Sequence, residues 1–147
     1  MTELSLTAPF RRMPIWLSAV AFGGIAWNAF GAVQFAGSLT ATVDSLTASG
    51  LTAGQAAIMT GYPLWMTLAF GLGVAGGLAG SLLLLLRHRL SRPVLGVSLA
   101  AYLALWVGDA VHGVFSALGV TQVVILTTVV AIAAALFAAS RLSAART

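Results

Sequence analysis

The sequence predicts an all-α fold: an integral membrane four-helix bundle with a short extra helix in the loop on one side. Three observations predict it. Four apolar stretches of about 20 residues each are long enough, at about 1.5 Å per residue, to cross a hydrocarbon core about 30 Å thick. Of the 147 residues, 60% are hydrophobic and 7% charged, against roughly 25% charged in soluble domains. A chain of this size could not hide so much apolar surface from water. Finally, the apolar stretches do not alternate. A closed barrel is therefore excluded, and helices are the remaining way to satisfy the backbone in lipid.

The first span runs roughly from Ile15 to Gly37. Arg11 and Arg12 precede it as they would a signal peptide. The apolar run is longer than a signal core, contains Asn28 and lacks a small-x-small cleavage site, so a retained helix is expected. An outer loop, residues 38–63, follows. Asp44, Ser45 and Gly50 mark turns there, and Thr52-Ala53-Gly54-Gln55 has the spacing of a capping box. The spacing predicts a short helix over 53–60, with Leu51, Ala56, Ile58 and Met59 available to the membrane surface or the bundle top. Pro63 suits a helix start because its missing N–H costs nothing there. The second span is read as Leu64 to Leu86, the third as Pro93 to Phe115, and the fourth as Val120 to Ala139. No linker divides the chain, so residues 1–147 are one domain.

The arginines give the orientation. All seven basic residues are Arg: Arg11 and Arg12 before the first span, Arg87, Arg89 and Arg92 between the second and third, Arg141 and Arg146 at the end of the fourth. In a four-span weave these regions share one side, and the other side has no Arg. The positive-inside rule then places both termini in the cytoplasm, in a cell inner membrane. The basic balance is no nucleic-acid footprint, since no stretch interleaves basic and aromatic residues. The chain has no Cys, which excludes disulfides and thiolate chemistry. Having no Lys either, it has no Schiff-base lysine.

Polar residues inside the spans carry the functional signal. In the third, Tyr102, Trp106, Asp109, Gly113 and Ser116 share one helical face, with His112 beside it. In the first, Gly24, Asn28, Gly31 and Phe35 form a stripe flanked by Trp27 and Gln34. The rise per residue puts Asn28 about 20 Å and Asp109 about 24 Å from the Arg side, with Gln34 and His112 nearer the outer surface. The first and third helices are therefore expected to face each other. Two readings follow: an Asp109–Asn28 hydrogen bond that fastens helices, or an Asp109–His112 pair that relays protons or holds a cation. One His and one carboxylate are too few ligands for zinc, and His88 belongs to the opposite side, which also excludes bis-His haem. No cofactor or metal is expected.

Gly73/Gly77 and Gly76/Gly80 in the second span, and Ala131, Ala135 and Ala138 in the fourth, have spacings that let helices approach closely, within the bundle or with a neighbour. Arg87-His88-Arg89 with Arg92 forms a basic hairpin, read as a topology anchor or a contact for anionic headgroups.

Pro14-Ile15-Trp16, Trp27-Asn28-Ala29-Phe30-Gly31, Gln55 with Pro63-Leu64-Trp65, and Gly76-Gly77 with Gly80 leading into Leu82–Leu86 and Arg87 resemble a group of small, largely uncharacterised four-helix bacterial inner-membrane proteins. Some of these carry the label "sugar transporter". The first two helices and the outer loop carry the likeness, which implies fold and location and transfers no activity. Small multidrug exporters also have four helices, but they depend on a Glu in the first, and here that helix has no carboxylate. Three functions remain. The first is a non-enzymatic membrane module, an accessory subunit or small-ligand-binding bundle acting as a homo-oligomer or with other membrane subunits. The second is a small-solute or proton-coupled transporter using Asp109, His112 and Asn28. The third, an intramembrane enzyme, lacks a nucleophile or metal constellation.

Overall fold

A computed structural model describes residues 12–144; Arg11 and Arg146 lie outside the described residues. The elements are α1 (Ile15–Thr40), α2 (Val43–Ala48), α3 (Ala53–Thr60), α4 (Leu64–Leu85), α5 (Ser91–Val111), α6 (Val114–Leu118) and α7 (Val120–Ala144), with no strand among the described residues. Four of them, α1, α4, α5 and α7, are long and apolar enough to cross a membrane. Because their number is even, the start of α1 and the end of α7 share a side with the α4–α5 hairpin. Arg12, Arg87, Arg89, Arg92 and Arg141 all lie at this Arg-rich end.

The helix boundaries follow from local chemistry. Pro14 and Pro63 stand just before α1 and α4 in extended conformation, where a missing N–H removes no helical bond. Thr42 and Ser45 form a capping box at α2, which the sequence reading missed, and Thr52 and Gln55 form the one expected at α3. α5 begins at Ser91 rather than Pro93: a proline at the third helical position still loses only an N–H that has no intrahelical partner. α4 ends in a Schellman turn, with His88 N–H donating to Leu83 O at 2.8 Å and Arg87 N–H to Leu84 O at 3.0 Å. Arg87 itself sits at φ 55, the left-handed position where glycine is the usual choice.

Besides the start of α5, and α1 running past Gly37 to Thr40, two further boundaries correct the sequence reading. The third span does not continue to Phe115. It stops at Val111, and Gly113 takes φ 75 to start α6, so Gly113 and Ser116 leave the face they were expected to share with Asp109. The fourth span continues past Ala139 to Ala144.

α4 packs along α1 on one side and α5 on the other, α5 packs along α7, and α7 closes the ring with a lighter contact to α1. The first and third helices stand across the diagonal and do not pack along each other, and the two stripes expected to face each other meet where Tyr102 bonds Asn28. The core is layered. Leu17, Ala21, Leu84, Leu95, Leu136 and Ala139 fill the Arg-rich end; Val74, Tyr102 and Ala133 fill the middle; Met66, Leu105 and Leu126 fill the far end. Large apolar side chains such as Phe22, Phe30, Val33, Leu68, Leu72 and Val124 remain exposed. That pattern suits lipid, where outward apolar groups carry no hydration cost.

Candidate functional site

Asn28 and Asp109 centre two polar knots at different depths, while the buried Ser81, Ser91 and Ser140 stand apart from both toward the Arg-rich end, Ser81 Oγ without a hydrogen-bond partner among the described residues. The deeper one is built on Asn28, which is 2% exposed. Its Nδ2 donates to the carbonyl of Gly24 one turn back at 2.8 Å, and its Oδ1 accepts from Tyr102 Oη at 3.3 Å. Ser98 Oγ donates to the carbonyl of Gly73 at 2.6 Å. Glycine makes these approaches possible. A Cβ on Gly77 would overlap the Asn28 amide, one on Gly73 would meet the Tyr102 ring, one on Gly76 would touch Ser98, and one on Gly80 would meet Leu95. All four glycines are buried, so this face of α4 is occupied by α1 and α5 of the same chain and offers nothing to a partner. The Ala131, Ala135 and Ala138 row is the reverse: all three are exposed, while Ala133, Leu136 and Ala139 pack inward.

The second knot lies at the far end. Asp109 is 1% exposed. Its Oδ1 accepts from Tyr62 Oη at 3.0 Å and its Oδ2 from Gln122 Nε2 at 3.0 Å. One carboxylate thereby ties α5 to the α3–α4 turn and to the first turn of α7. Tyr62 lies outside the spans, and its phenol is pushed well above the ordinary tyrosine value, by burial first and then by the neighbouring Asp109 charge and hydrogen bond. It therefore stays an O–H donor at neutral pH. Gln55 extends the closure, its Nε2 donating to Ala117 O at 3.1 Å and so fastening α3 to α6.

The expected Asp109–Asn28 bond is not made, and depth explains why. Counted from Ser91, Asp109 stands about 27 Å along its helix, whereas Asn28 is about 20 Å along α1 from Ile15 and Tyr102 about 17 Å along α5. Asn28 therefore meets Tyr102, and Asp109 passes above it. His112 does not pair with Asp109 either; it caps the end of α5, exposed, with its ring 6.1 Å from that of Trp65. Gln34 is exposed on α1. Trp106 binds away from both knots, its Nε1 donating to Thr127 Oγ1 at 3.1 Å and its ring standing edge-on to Phe115 at 5.2 Å. Tyr62 and Gln122 are the residues that sequence reasoning missed. Their signal was weak, since each is a polar residue in the first turn of a span or just before it, where such residues are ordinary.

Between the knots lies the apolar layer of Met66, Leu105 and Leu126, and between the Asn28 knot and the Arg-rich end lies the layer of Leu17, Leu84, Leu95 and Leu136. A crevice lined by Trp27, Asn28, Ser98, Tyr102, Ile132 and Leu136 is too narrow to hold a water molecule. Among the described residues no three of His, Asp or Glu come together as metal ligands. The arrangement can brace helices and hold a loop closed. Comparison with family models, with curated proteins and with solved structures returns no match.

Proposed function

We infer that the chain is a non-enzymatic membrane module of a bacterial inner membrane, with both termini cytoplasmic, acting as a homo-oligomer or with other membrane subunits. One observation carries the reading: the buried polar side chains of the knots are committed to one another or to backbone, and apolar layers separate the knots. A transporter needs polar groups that can exchange partners along a path. Here Asn28 and Asp109 each hold fixed partners, and His112 belongs to neither knot.

Four spans enclose little space of their own, so the work of such a module lies in what it assembles with. Orientation rests on the Arg distribution. The experiment is to solubilise the protein gently from its native membrane and determine its mass together with any co-purifying chains. A stoichiometric larger complex supports the reading, as does a homo-oligomer that carries no flux in vesicles. A small homo-oligomer that arrives without other chains and carries solute or proton flux in vesicles, with the flux lost in Asp109→Asn while insertion is kept, overturns it in favour of transport.

A further inference from the structure

The packing of α5 against α7 puts an arginine on each helix one turn beyond a shared contact at the Arg-rich end. The edge of the Phe137 ring lies 3.2 Å from where a Cβ on Gly96 would stand, so these two residues face each other across the seam. One turn further toward the Arg-rich end, the α5 position on the same face is Arg92 and the α7 position is Arg141. Both are exposed, and the Arg141 guanidinium lies over the Phe137 ring, 5.9 Å from its centroid. The ring thus forms a floor beneath one guanidinium and beside the notch that Gly96 leaves.

Helix stability accounts for Arg141, a cation in the last turn of α7, but not for Arg92. Arg92 stands in the first turn of α5, where the helix dipole disfavours a cation. Nor is a counter-charge at hand, since the described acidic residues, Asp44 and Asp109, are both at the opposite end. Arginine forks match phosphate oxygens, and both arginines stand at ends of helices long enough to cross a hydrocarbon core, where headgroups would begin. Beside the pair the outward faces of α5 and α7 carry Val97, Ala100, Ala134 and Ala138, all exposed, a shallow apolar track for an acyl chain.

We propose that Arg92 and Arg141 form a binding site for the phosphate of an anionic glycerophospholipid at the α5–α7 seam, with Phe137 as its floor. The site is independent of what the bundle assembles with. Topology explains why arginines are on this side; it does not explain why one stands on each helix beside the Gly96–Phe137 contact.

The test uses the full-length protein in nanodiscs or mild detergent, with lipid retention read by native mass spectrometry against phosphatidylglycerol and phosphatidylcholine vesicles. The wild type retains phosphatidylglycerol in preference to phosphatidylcholine. Arg92→Gln and Arg141→Gln each lower that preference about fivefold, and the double variant abolishes it. Arg12→Gln, just before α1, leaves it unchanged. Melting temperature and a cysteine-accessibility topology assay confirm that each variant inserts and folds as the wild type does. Three results overturn the site: equal retention of both lipids by the wild type, an unchanged preference in the double variant, or displacement by millimolar inorganic phosphate alone. Co-purification of an acidic polypeptide that is lost in the double variant while lipid retention stays the same overturns it in favour of a protein partner.

Discussion

The two polar knots use similar chemistry for different ends. Around Asn28 every group is neutral, and one of its two bonds is to its own helix, Asn28 Nδ2 to Gly24 O. The knot sits directly on α4 because Gly77 has no side chain to hold it off. Around Asp109 the acceptor is a carboxylate, and both donors come from other elements, Tyr62 from the α3–α4 turn and Gln122 from α7. The deep knot is therefore a consequence of close helix packing, and the outer knot is a cause of closure. Removing steric room should damage the first most, while removing a charge should damage the second.

The largest effect is expected from Gly77→Leu. A leucine there overlaps the Asn28 side chain and must push α1 away from α4, a cost of about 3 kcal/mol or more on the scale of overpacked cores. Folded yield and melting temperature in detergent should both collapse. The contrast is Gly37→Leu: nothing lies within 4 Å of a Cβ at that position, so its melting temperature should stay within a degree or two of wild type, or about 0.5 kcal/mol. Equal damage at both sites would mean that the Gly77 approach does not set the α1–α4 distance.

Asp109→Asn comes next. An amide can accept from one of the two donors but presents its own N–H to the other, leaving a buried group unpaired at about 1–3 kcal/mol. The loss should appear locally, as faster hydrogen exchange in α3 and the α3–α4 turn, with the Arg-rich end unchanged. Uniform loosening along all four spans would contradict the assignment of this knot to closure.

Tyr62→Phe removes one donor and should cost about 1 kcal/mol at neutral pH. It also has a pH signature. Because the folded protein holds the Tyr62 proton more tightly than the ordinary value of 10.0, its contribution is fully present below pH 10. The contribution is lost as pH rises above 10, where the unfolded chain releases the proton and the folded protein does not. Melting temperatures measured from pH 8 to pH 11 should therefore fall more steeply in wild type than in Tyr62→Phe, so that the two curves converge. Parallel curves would show that Tyr62 ionises as freely folded as unfolded.

How much of this can be read in the sequence depends on the range of the interaction. The spans are legible because hydropathy and length act over 20 residues at once, and α3 is legible because Thr52 and Gln55 cap it within four. Helical periodicity also places Asn28, Tyr102 and Asp109 on inward faces, since a face is a property of one helix. It cannot say which neighbour each face meets. Pairing Asn28 with Asp109 fails because a two-residue difference in where α5 starts, Ser91 against Pro93, shifts the estimated depth by about 3 Å. The break at Gly113 is hidden for a related reason: Gly113 and Ser116 continue the spacing of Tyr102 and Asp109, and nothing local reports that Gly113 adopts a positive φ. The outward-facing Ala131, Ala135 and Ala138 make the same point. Small residues permit close approach, and only the assembled bundle decides whether a helix comes near.

The smallest expected effect sharpens the comparison most. Tyr102→Phe removes the side-chain hydrogen bond that reaches Asn28 from α5, and at 3.3 Å that bond is long. Asn28 would keep its bond to Gly24, and the phenyl ring of the variant would still cover Gly73. Interhelical hydrogen bonds in membranes average about 0.6 kcal/mol, so the variant should lose less stability than Tyr62→Phe by a measurable margin. If packing on glycine holds the deep knot, the double variant Tyr102→Phe with Gly77→Leu should be no worse than Gly77→Leu alone, because the overlap has already separated the groups that bond. Full additivity would mean that the Asn28–Tyr102 bond persists when α1 is displaced, and that hydrogen bonding rather than close approach sets the centre of the bundle.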